Sequence, residues 1–219
     1  MQGVEQGPAA ETAAGRRVED ILRAACRVVV RDGASDLRIG TVAREAGVSR
    51  TLVHYYFTTR QELLRAAFAY AEDERVGALE AELAGLPTGA ARAERALLRT
   101  IEPELEETPA LWNEVWSSFR YDAELRPLVQ ERYRDWVDRI VKLLDEGRAD
   151  GSVSEVVDAR RAGWRLAATA DGLDSVQYLG LLDHAAVDTA RVVALAQRVF
   201  DTRNATRGMS EGREKIRRL

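Results

Sequence analysis

Five side chains suited to nucleic-acid contact occur close together in this chain. They are Arg50, Thr51, His54, Tyr55 and Arg60. Guanidinium, hydroxyl and imidazole groups donate hydrogen bonds to phosphate oxygens and to base edges, so the set is typical of a DNA-contacting surface. Taken alone, each of these residues is more often an ordinary surface side chain. The interpretation therefore depends on the elements that carry them.

The stretch from Ile39 to Arg60 predicts a helix-turn-helix. Two short helices, 39–46 and 50–57, are separated by a turn that begins with glycine. Gly47 can close the first helix in the left-handed conformation, and the Ser49 hydroxyl can cap the second. The apolar positions at helical spacing form the packed side: Val42, Ala43, Ala46, Val48, Leu52 and Phe57. The polar side chains then face outward, with Tyr55 exposed and its neighbour Tyr56 packed.

The distribution of charge supports this interpretation although the whole chain is acidic. Its 219 residues carry a formal net charge of −4. Residues 16–60 hold nine arginines against five acidic residues, a local charge of +4, so the remainder sums to −8. Because phosphate binding depends on the local face, the basic excess lies where DNA contact is predicted.

The remainder of the chain predicts an all-α fold. Apolar residues recur at helical spacing throughout, without β-alternation, which gives about nine helices. We expect a disordered leader at 1–15, a three-helix DNA-binding domain at 16–60 and a helical ligand-binding and dimerisation domain at 61–203. A basic tail follows at 204–219. A long helix, 61–83, connects the two domains, and the last two helices are predicted at 157–182 and 186–203.

Several functional classes are disfavoured by composition. Two histidines and one cysteine leave almost no material for metal sites or for cysteine–histidine catalysis, and no phosphate-cradling glycine loop occurs. We therefore expect no enzyme activity, no metal and no cofactor. The single Cys26 is predicted to be a buried structural thiol in a reducing cytoplasm. The sequence contains no run of apolar residues long enough for a membrane helix, and its N-terminal segment differs from a secretory signal.

Four motifs resemble the TetR family of one-component transcriptional regulators: residues 31–33, 42–49, 52–57 and 60–64. The resemblance implies a homodimer that binds a pseudo-palindromic operator and is released by a small-molecule effector. It places Arg50 and Thr51 on base edges, and His54, Tyr55 and Arg60 on phosphates, with Ser49 at the start of the recognition helix. Arg38 stands where the family commonly has a capping Ser or Thr, so we expect a missing cap there and a phosphate contact instead. Gly40 leaves little base reading to the first helix.

The C-terminal half resembles, more loosely, the choline-responsive betaine-operon repressors of that family. The similar features are Trp116 and Phe119, the Asp150-Gly151 turn and residues 171–173. Trp112, Trp116 and Phe119 form a stripe on one helix face that is either plain core or the lining of an effector pocket. Carboxylates on an apolar helix are costly unless partnered, so they are either exposed or functional. If the stripe and the carboxylates meet, the pocket suits a cation. The remaining candidates for the pocket are Trp136, Asp171, Asp174, Gln177 and Tyr178.

Small and apolar residues on the last two helices predict either a dimer interface or internal core. They are Ala162, Leu166, Leu173, Val176 and Gly180, followed by Ala190, Val193, Ala194 and Gln197. The function that we expect is a cytoplasmic, ligand-responsive repressor. The alternative is a helical small-molecule-binding or adaptor protein that has lost sequence-specific DNA binding, and the retained outward side chains argue against it.

Overall fold

The computed structural model of the chain describes residues 8–101, 107–119 and 122–181, which form eight α-helices and no strand. The all-α prediction is confirmed. The helices are α1 Pro8–Asp32, α2 Ile39–Glu45, α3 Arg50–Tyr56, α4 Arg60–Leu83, α5 Gly89–Ile101, α6 Glu107–Phe119, α7 Leu125–Asp150 and α8 Ala159–Tyr178, with a short 3-10 turn at Ala34–Asp36. The predicted ninth helix and the basic tail lie outside the described residues. No helix in the described part is long and apolar enough to cross a membrane.

The chain divides into two compact units. The first comprises Met1–Ala78 and Leu105–Arg132, and the second comprises Leu79–Glu104 and Tyr133–Leu219. The domains predicted from the sequence follow chain order, whereas the first unit also includes α6. This helix belongs to it because it packs against α1 and the 3-10 turn.

The first unit surrounds one apolar core. Its buried residues come from α1, α2, α3, α4, α6 and the start of α7, and include Ile21, Val28, Val42, Val53, Phe68, Leu111, Val115 and Leu125. Helix α1 begins at Pro8, eight residues before the predicted start at Arg16, so residues 8–15 of the predicted disordered leader are helical. A first-turn proline and the alanines that follow it favour this longer helix.

The second unit has its own core. The buried residues come from the end of α4 and from α5, α7 and α8, and include Leu79, Leu83, Ala93, Trp136, Ile140, Leu144 and Ala167. Helix α7 carries Pro127 in its first turn, as predicted, where its missing N–H costs no hydrogen bond.

A turn after α7 holds the start of α5. The Asp150 Oδ2 accepts from the Gly89 N–H at 2.7 Å, and the Ser152 Oγ accepts from the Ala90 N–H at 3.1 Å. Hydrogen bonds from Ser152 and then from Gly89 lower the pKa of the Asp150 carboxyl. A side chain at Gly89 would place its Cβ 2.1 Å from the Gly147 nitrogen, so this helix crossing requires glycine. The turn predicted at residues 150–152 therefore anchors two helices.

Candidate functional site

Helix α3 starts as the sequence predicts. Gly47 has a φ of 66°, in the left-handed region, and terminates α2 at its C-terminal end. Ser49 is the N-cap residue, and its Oγ accepts from the Leu52 N–H at 3.1 Å. Both predictions are confirmed, and together they fix the direction in which α3 leaves the turn.

The outward side of α3 is polar and exposed. Arg50, Thr51, His54 and Tyr55 are all exposed, and Tyr55 retains 79% of its accessible surface. Tyr56 is half-buried against the core, so the predicted division between the two tyrosines is confirmed.

The inward side of α3 is occupied by a residue that the sequence analysis missed. Val53 is fully buried, and Phe57, one helical turn later, is 7% exposed. The predicted Leu52 is only half-buried. The i, i+4 spacing of Val53 and Phe57 is the signal that could have identified this inner face.

The start of α2 lacks a side-chain cap, as predicted. Arg38 is its N-cap residue and makes no capping hydrogen bond from its side chain. Its side chain is 78% exposed, and its guanidinium lies 3.7 Å from the Asp36 carboxylate. Because exposed ion pairs of this kind are weak, the Arg38 side chain can reorient toward a phosphate.

Gly40, close by on α2, lies next to the Arg50 side chain. A Cβ added there would lie 4.0 Å from the Arg50 Nε, an ordinary van der Waals contact. The small part that this helix plays in base reading stays a prediction.

Arg60 has an intramolecular role that the sequence analysis did not anticipate. Its Nη1 donates to the carbonyl oxygens of Ala34 at 2.6 Å and of Ser35 at 3.3 Å. A guanidinium has five N–H donors, so the remaining ones can still serve a phosphate. The contact of Arg60 with DNA stays a prediction, and the residue also braces the 3-10 turn.

Part of the basic excess in residues 16–60 is neutralised within the protein. The Glu45 carboxylate accepts from Arg27 at 3.1 Å and from Arg31 at 2.9 Å. Hydrogen bonds from Arg31 and then from Arg27 lower the pKa of the Glu45 carboxyl. Exposed arginines remain on α2 and α3, at Arg44 and Arg50, and also in the first half of α1, at Arg16 and Arg17.

The predicted aromatic stripe divides between core and surface. Trp112 is half-buried against the core of the first unit and meets Phe68 edge to face, with ring centroids 4.8 Å apart. Trp116 is 41% exposed, with its ring 5.9 Å from that of Trp112. The side chain of Phe119 lies outside the described part of the structure. Trp112 is thus largely core, whereas Trp116 is accessible and its place in an effector pocket stays a prediction.

A buried carboxylate beside Trp112 was missed. Glu72 of α4 is 2% exposed, and its Oε1 accepts from the Trp112 Nε1 at 2.5 Å. Arg75 binds both carboxylate oxygens, with its shortest contact at 2.9 Å. The sequence gives no signal for this pair, because a buried, paired glutamate cannot be distinguished by helical spacing from a glutamate on the solvent-facing side of a helix.

In the second unit, the predicted carboxylate Asp171 lies beside an aromatic pair. Its Oδ2 accepts from the Tyr133 hydroxyl at 2.8 Å. Burial, and then this hydrogen bond, raise the pKa of the Tyr133 phenol. The Tyr133 ring lies 5.9 Å from that of Trp164, which is 42% exposed. A carboxylate and two rings together are the groups that bind organic cations.

The other predicted effector residues lie in the core of the second unit, half-buried on α8, or outside the described residues. Trp136 is a core residue of the second unit, 6% exposed. Asp174 and Gln177 are half-buried on α8, and the Gln177 Oε1 is buried without a hydrogen-bond partner in the described part of the chain. The Tyr178 side chain lies outside the described residues.

The predicted dimer residues on α8 fall into two groups. Ala162 and Leu166 are buried within the core of the second unit, which favours the internal-core alternative for them. Leu173 is half-buried, whereas Val176 and Gly180 are exposed. The predicted residues Ala190, Val193, Ala194 and Gln197 lie outside the described part.

Comparisons with known proteins agree with this architecture, in which a capped helix-turn-helix heads an all-helical chain. Residues 21–67 match the model of the bacterial regulatory proteins of the tetR family, and residues 89–203 match the C-terminal domain of BetI-type transcriptional repressors. The fold and the exposed α3 define a DNA-binding regulator.

Individual relatives agree with this class. The regulator BetI of Escherichia coli O127:H6 is 28% identical over 72% of this chain and 80% of its own length. The nicotine-responsive repressor HdnoR of Paenarthrobacter nicotinovorans is 28% identical over 74% of this chain and 83% of its own.

Solved structures share the fold. A TetR-family regulator from Rhodococcus superposes with a TM-score of 0.75 at 28% identity, covering 85% of this chain and 99% of the other. A choline complex of a regulator from Saccharomonospora viridis superposes with a TM-score of 0.72 at 24% identity, covering 84% and 94%.

The chain belongs to the TetR family and carries a BetI-type C-terminal domain. It is a ligand-responsive DNA-binding transcriptional regulator and not an enzyme. The resemblance to the TetR family and to its betaine-operon repressors is thereby confirmed.

Proposed function

We propose that the protein is a homodimeric cytoplasmic repressor that binds a pseudo-palindromic operator through α3 and is released by an organic cation. The observation that carries the proposal is the exposed outward side of α3, oriented by the Ser49 cap. Polar side chains on this surface face solvent and are available to DNA.

The operator contacts divide into base reading and phosphate binding. Arg50 can donate two hydrogen bonds to a guanine, and the Thr51 methyl can pack against a thymine methyl. His54 and Tyr55 lie further along the same exposed side and suit the phosphates that flank the groove. Arg38 and Arg60 supply positive charge next to α2 and α3, with Ser49 at the first turn.

Homodimer formation is supported by exposed apolar side chains on and directly after α8. Val176, Leu179 and Leu181 are 38%, 66% and 71% exposed. Grouped apolar surface of this kind marks an interaction site. In a two-fold dimer the recognition helices would enter half-sites roughly one DNA turn, ~34 Å, apart.

An organic cation is the effector class that the side chains favour. Asp171 with Tyr133 and Trp164 offers a carboxylate beside two rings in the second unit. Of the proteins that resemble this chain, one was solved in complex with choline and one is described as nicotine-responsive, and both compounds carry a cationic nitrogen near neutral pH. Ring faces attract such cations more strongly once these are desolvated.

A gel shift with the DNA upstream of the protein's own gene tests both parts of the proposal. At low salt the wild type should retard this duplex, whereas no retardation would contradict the regulator function. Choline should then weaken binding about 5- to 150-fold, the usual range of coupling between two sites.

The matched control for choline is 3,3-dimethylbutanol, which has the same shape without the charge. Because the proposed site depends on charge, this alcohol should leave the retarded complex unchanged. Equal release by both compounds would contradict the choice of a cation while leaving DNA binding intact.

A further inference from the structure

Two charged hydrogen bonds, made by α6 residues two positions apart, connect helix α6 to the rest of the first unit. The Glu114 Oε2 accepts from the backbone N–H of Ala34 at 3.2 Å. The Trp112 Nε1 donates to the Glu72 Oε1 on α4 at 2.5 Å. One helix therefore holds both the long helix α4 and the 3-10 turn that leads into α2.

Both backbone polar groups of Ala34 are bound by charged side chains. Its N–H donates to Glu114 of α6, and its carbonyl accepts from Arg60, the first residue of α4, at 2.6 Å. Ala34 itself is 1% exposed. Hydrogen bonds with an ionised partner are about twice as strong as neutral ones, and a buried N–H is costly to leave unpaired. The three residues Glu114, Ala34 and Arg60 form what we call the Ala34 clamp.

The clamp lies directly before the helices that contact DNA. The 3-10 turn ends at Asp36, and α2 begins at Ile39. Arg38 between them makes no capping hydrogen bond from its side chain, so local contacts hold this junction weakly. The clamp therefore adds to the contacts that orient α2, which also include the buried Leu37 and the hydrogen bonds from Arg27 and Arg31 to Glu45.

We propose that Glu114 is a positioning residue for operator binding, because it transmits the position of α6 to α2 and α3 through the Ala34 clamp. The proposal rests on the proposed operator binding. Helix α6 also carries the exposed Trp116, one of the predicted effector residues. A displacement of α6 by about 1 Å stretches the Glu114 bond beyond hydrogen-bonding range.

Reciprocity supplies a readout that a purely structural role would not affect. If α6 biases the DNA-contacting helices, then operator binding must bias α6 by the same free energy. Trp116 reports on α6 because its ring is partly exposed on that helix. In protein labelled with 5-fluorotryptophan, the ¹⁹F resonance of Trp116, assigned with W116F, should shift when operator DNA binds.

The experiment compares full-length variants with the DNA upstream of the gene as the probe. E114A removes the acceptor for the Ala34 N–H, and E114D keeps the charge on a side chain too short to reach it. Because the free protein then no longer favours the clamped position of α2 and α3, we expect both to bind this DNA about ten-fold more weakly, within the free energy that one hydrogen bond to a buried N–H supplies. Both should also lose the DNA-induced shift of Trp116.

Two controls isolate the hydrogen bond. E114Q keeps an acceptor oxygen at the same place and should retain most of the shift. E124A removes another carboxylate of the same unit, which pairs with Arg65 at 3.1 Å and is 63% exposed, and should behave like the wild type. The milder E114D keeps the test decisive if E114A folds poorly.

The outcomes separate the two proposals. A wild-type Trp116 shift in DNA-bound E114A or E114D would overturn the clamp and leave operator binding intact. A wild-type protein that binds no DNA would overturn the proposed function, and the clamp's role with it.

Discussion

Helices α3 and α8 both carry polar residues that are predicted to contact a partner, DNA for α3 and an effector for α8. They differ in the contacts that these residues make within the free protein. On α3 the outward side chains are exposed, and the helix is held by its cap and its apolar inner side. On α8 the Asp171 carboxylate already accepts a hydrogen bond from Tyr133 of another helix. A surface for a large rigid partner such as DNA can be complete in the free protein. At the proposed effector site on α8, a ligand would instead have to replace the hydrogen bond that Tyr133 donates to Asp171.

The largest expected effect concerns Glu72, the buried carboxylate of the first unit, which is bound by other side chains of the protein. E72A should destabilise the protein by about 3 kcal/mol, because it removes a buried carboxylate that accepts hydrogen bonds from Trp112 and Arg75. Chemical denaturation followed by far-UV circular dichroism measures this change. E74A, which removes an exposed carboxylate two residues away, should change the free energy of unfolding by less than about 0.5 kcal/mol. Equal effects would show that burial of Glu72 contributes nothing special.

Substitution of the exposed polar residues on α3 should affect DNA binding and not the stability of the fold. R50A should lose about 1–3 kcal/mol of discrimination at one base position while it unfolds like the wild type. Fluorescence anisotropy with operator duplexes that differ at single positions measures this. R134A, an exposed arginine of α7, is the matched control and should bind every duplex normally. An R50A variant that weakens all duplexes equally would place Arg50 on a phosphate.

Substitutions at Ser49 can distinguish its effect on stability, through the helix cap, from its effect on DNA binding. S49A should cost about 1 kcal/mol of stability through the lost N-cap bond. S49D restores a capping oxygen and should recover that stability, while its negative charge on the DNA-facing surface should weaken binding. Thermal unfolding and anisotropy, measured on the same samples, check both halves. If stability and DNA binding changed in parallel across these variants, the effect on binding would come from loss of the α3 cap and not from the added charge.

The smallest expected effect concerns the turn that anchors α5. The lowered pKa of Asp150 means that its ionised form stabilises the fold above the pKa of the unfolded chain, and that this contribution disappears as the pH falls through the folded value. Wild-type stability should therefore decline below about pH 4 more steeply than that of D150N. Denaturant titrations across this range test it. Identical pH profiles would contradict a role for the ionised carboxylate.

Sequence patterns predicted those parts of the molecule that depend on neighbours in the chain. The Ser49 cap, the left-handed Gly47 and the outward Tyr55 are all set within a few residues, and each is confirmed. The family was likewise identified from motifs whose spacing is local.

Contacts between distant segments were missed. Glu114 and Ala34 are 80 residues apart, and Arg60 and Ala34 are 26 apart. Glu72 meets Trp112 across 40 residues. No periodicity links such partners, because helical spacing states which side of a helix is apolar and not what that side will meet. This is also why the aromatic stripe could not be divided into core and surface in advance.

Selection of DNA from a random duplex library tests most directly the claim that α3 contacts the operator. Wild-type protein should enrich a two-fold symmetric site with half-sites roughly one helical turn, ~34 Å, apart, and R50A should enrich the same spacing with one position relaxed. Failure of the wild type to enrich any sequence at low salt, or an unchanged consensus with R50A, would contradict the account.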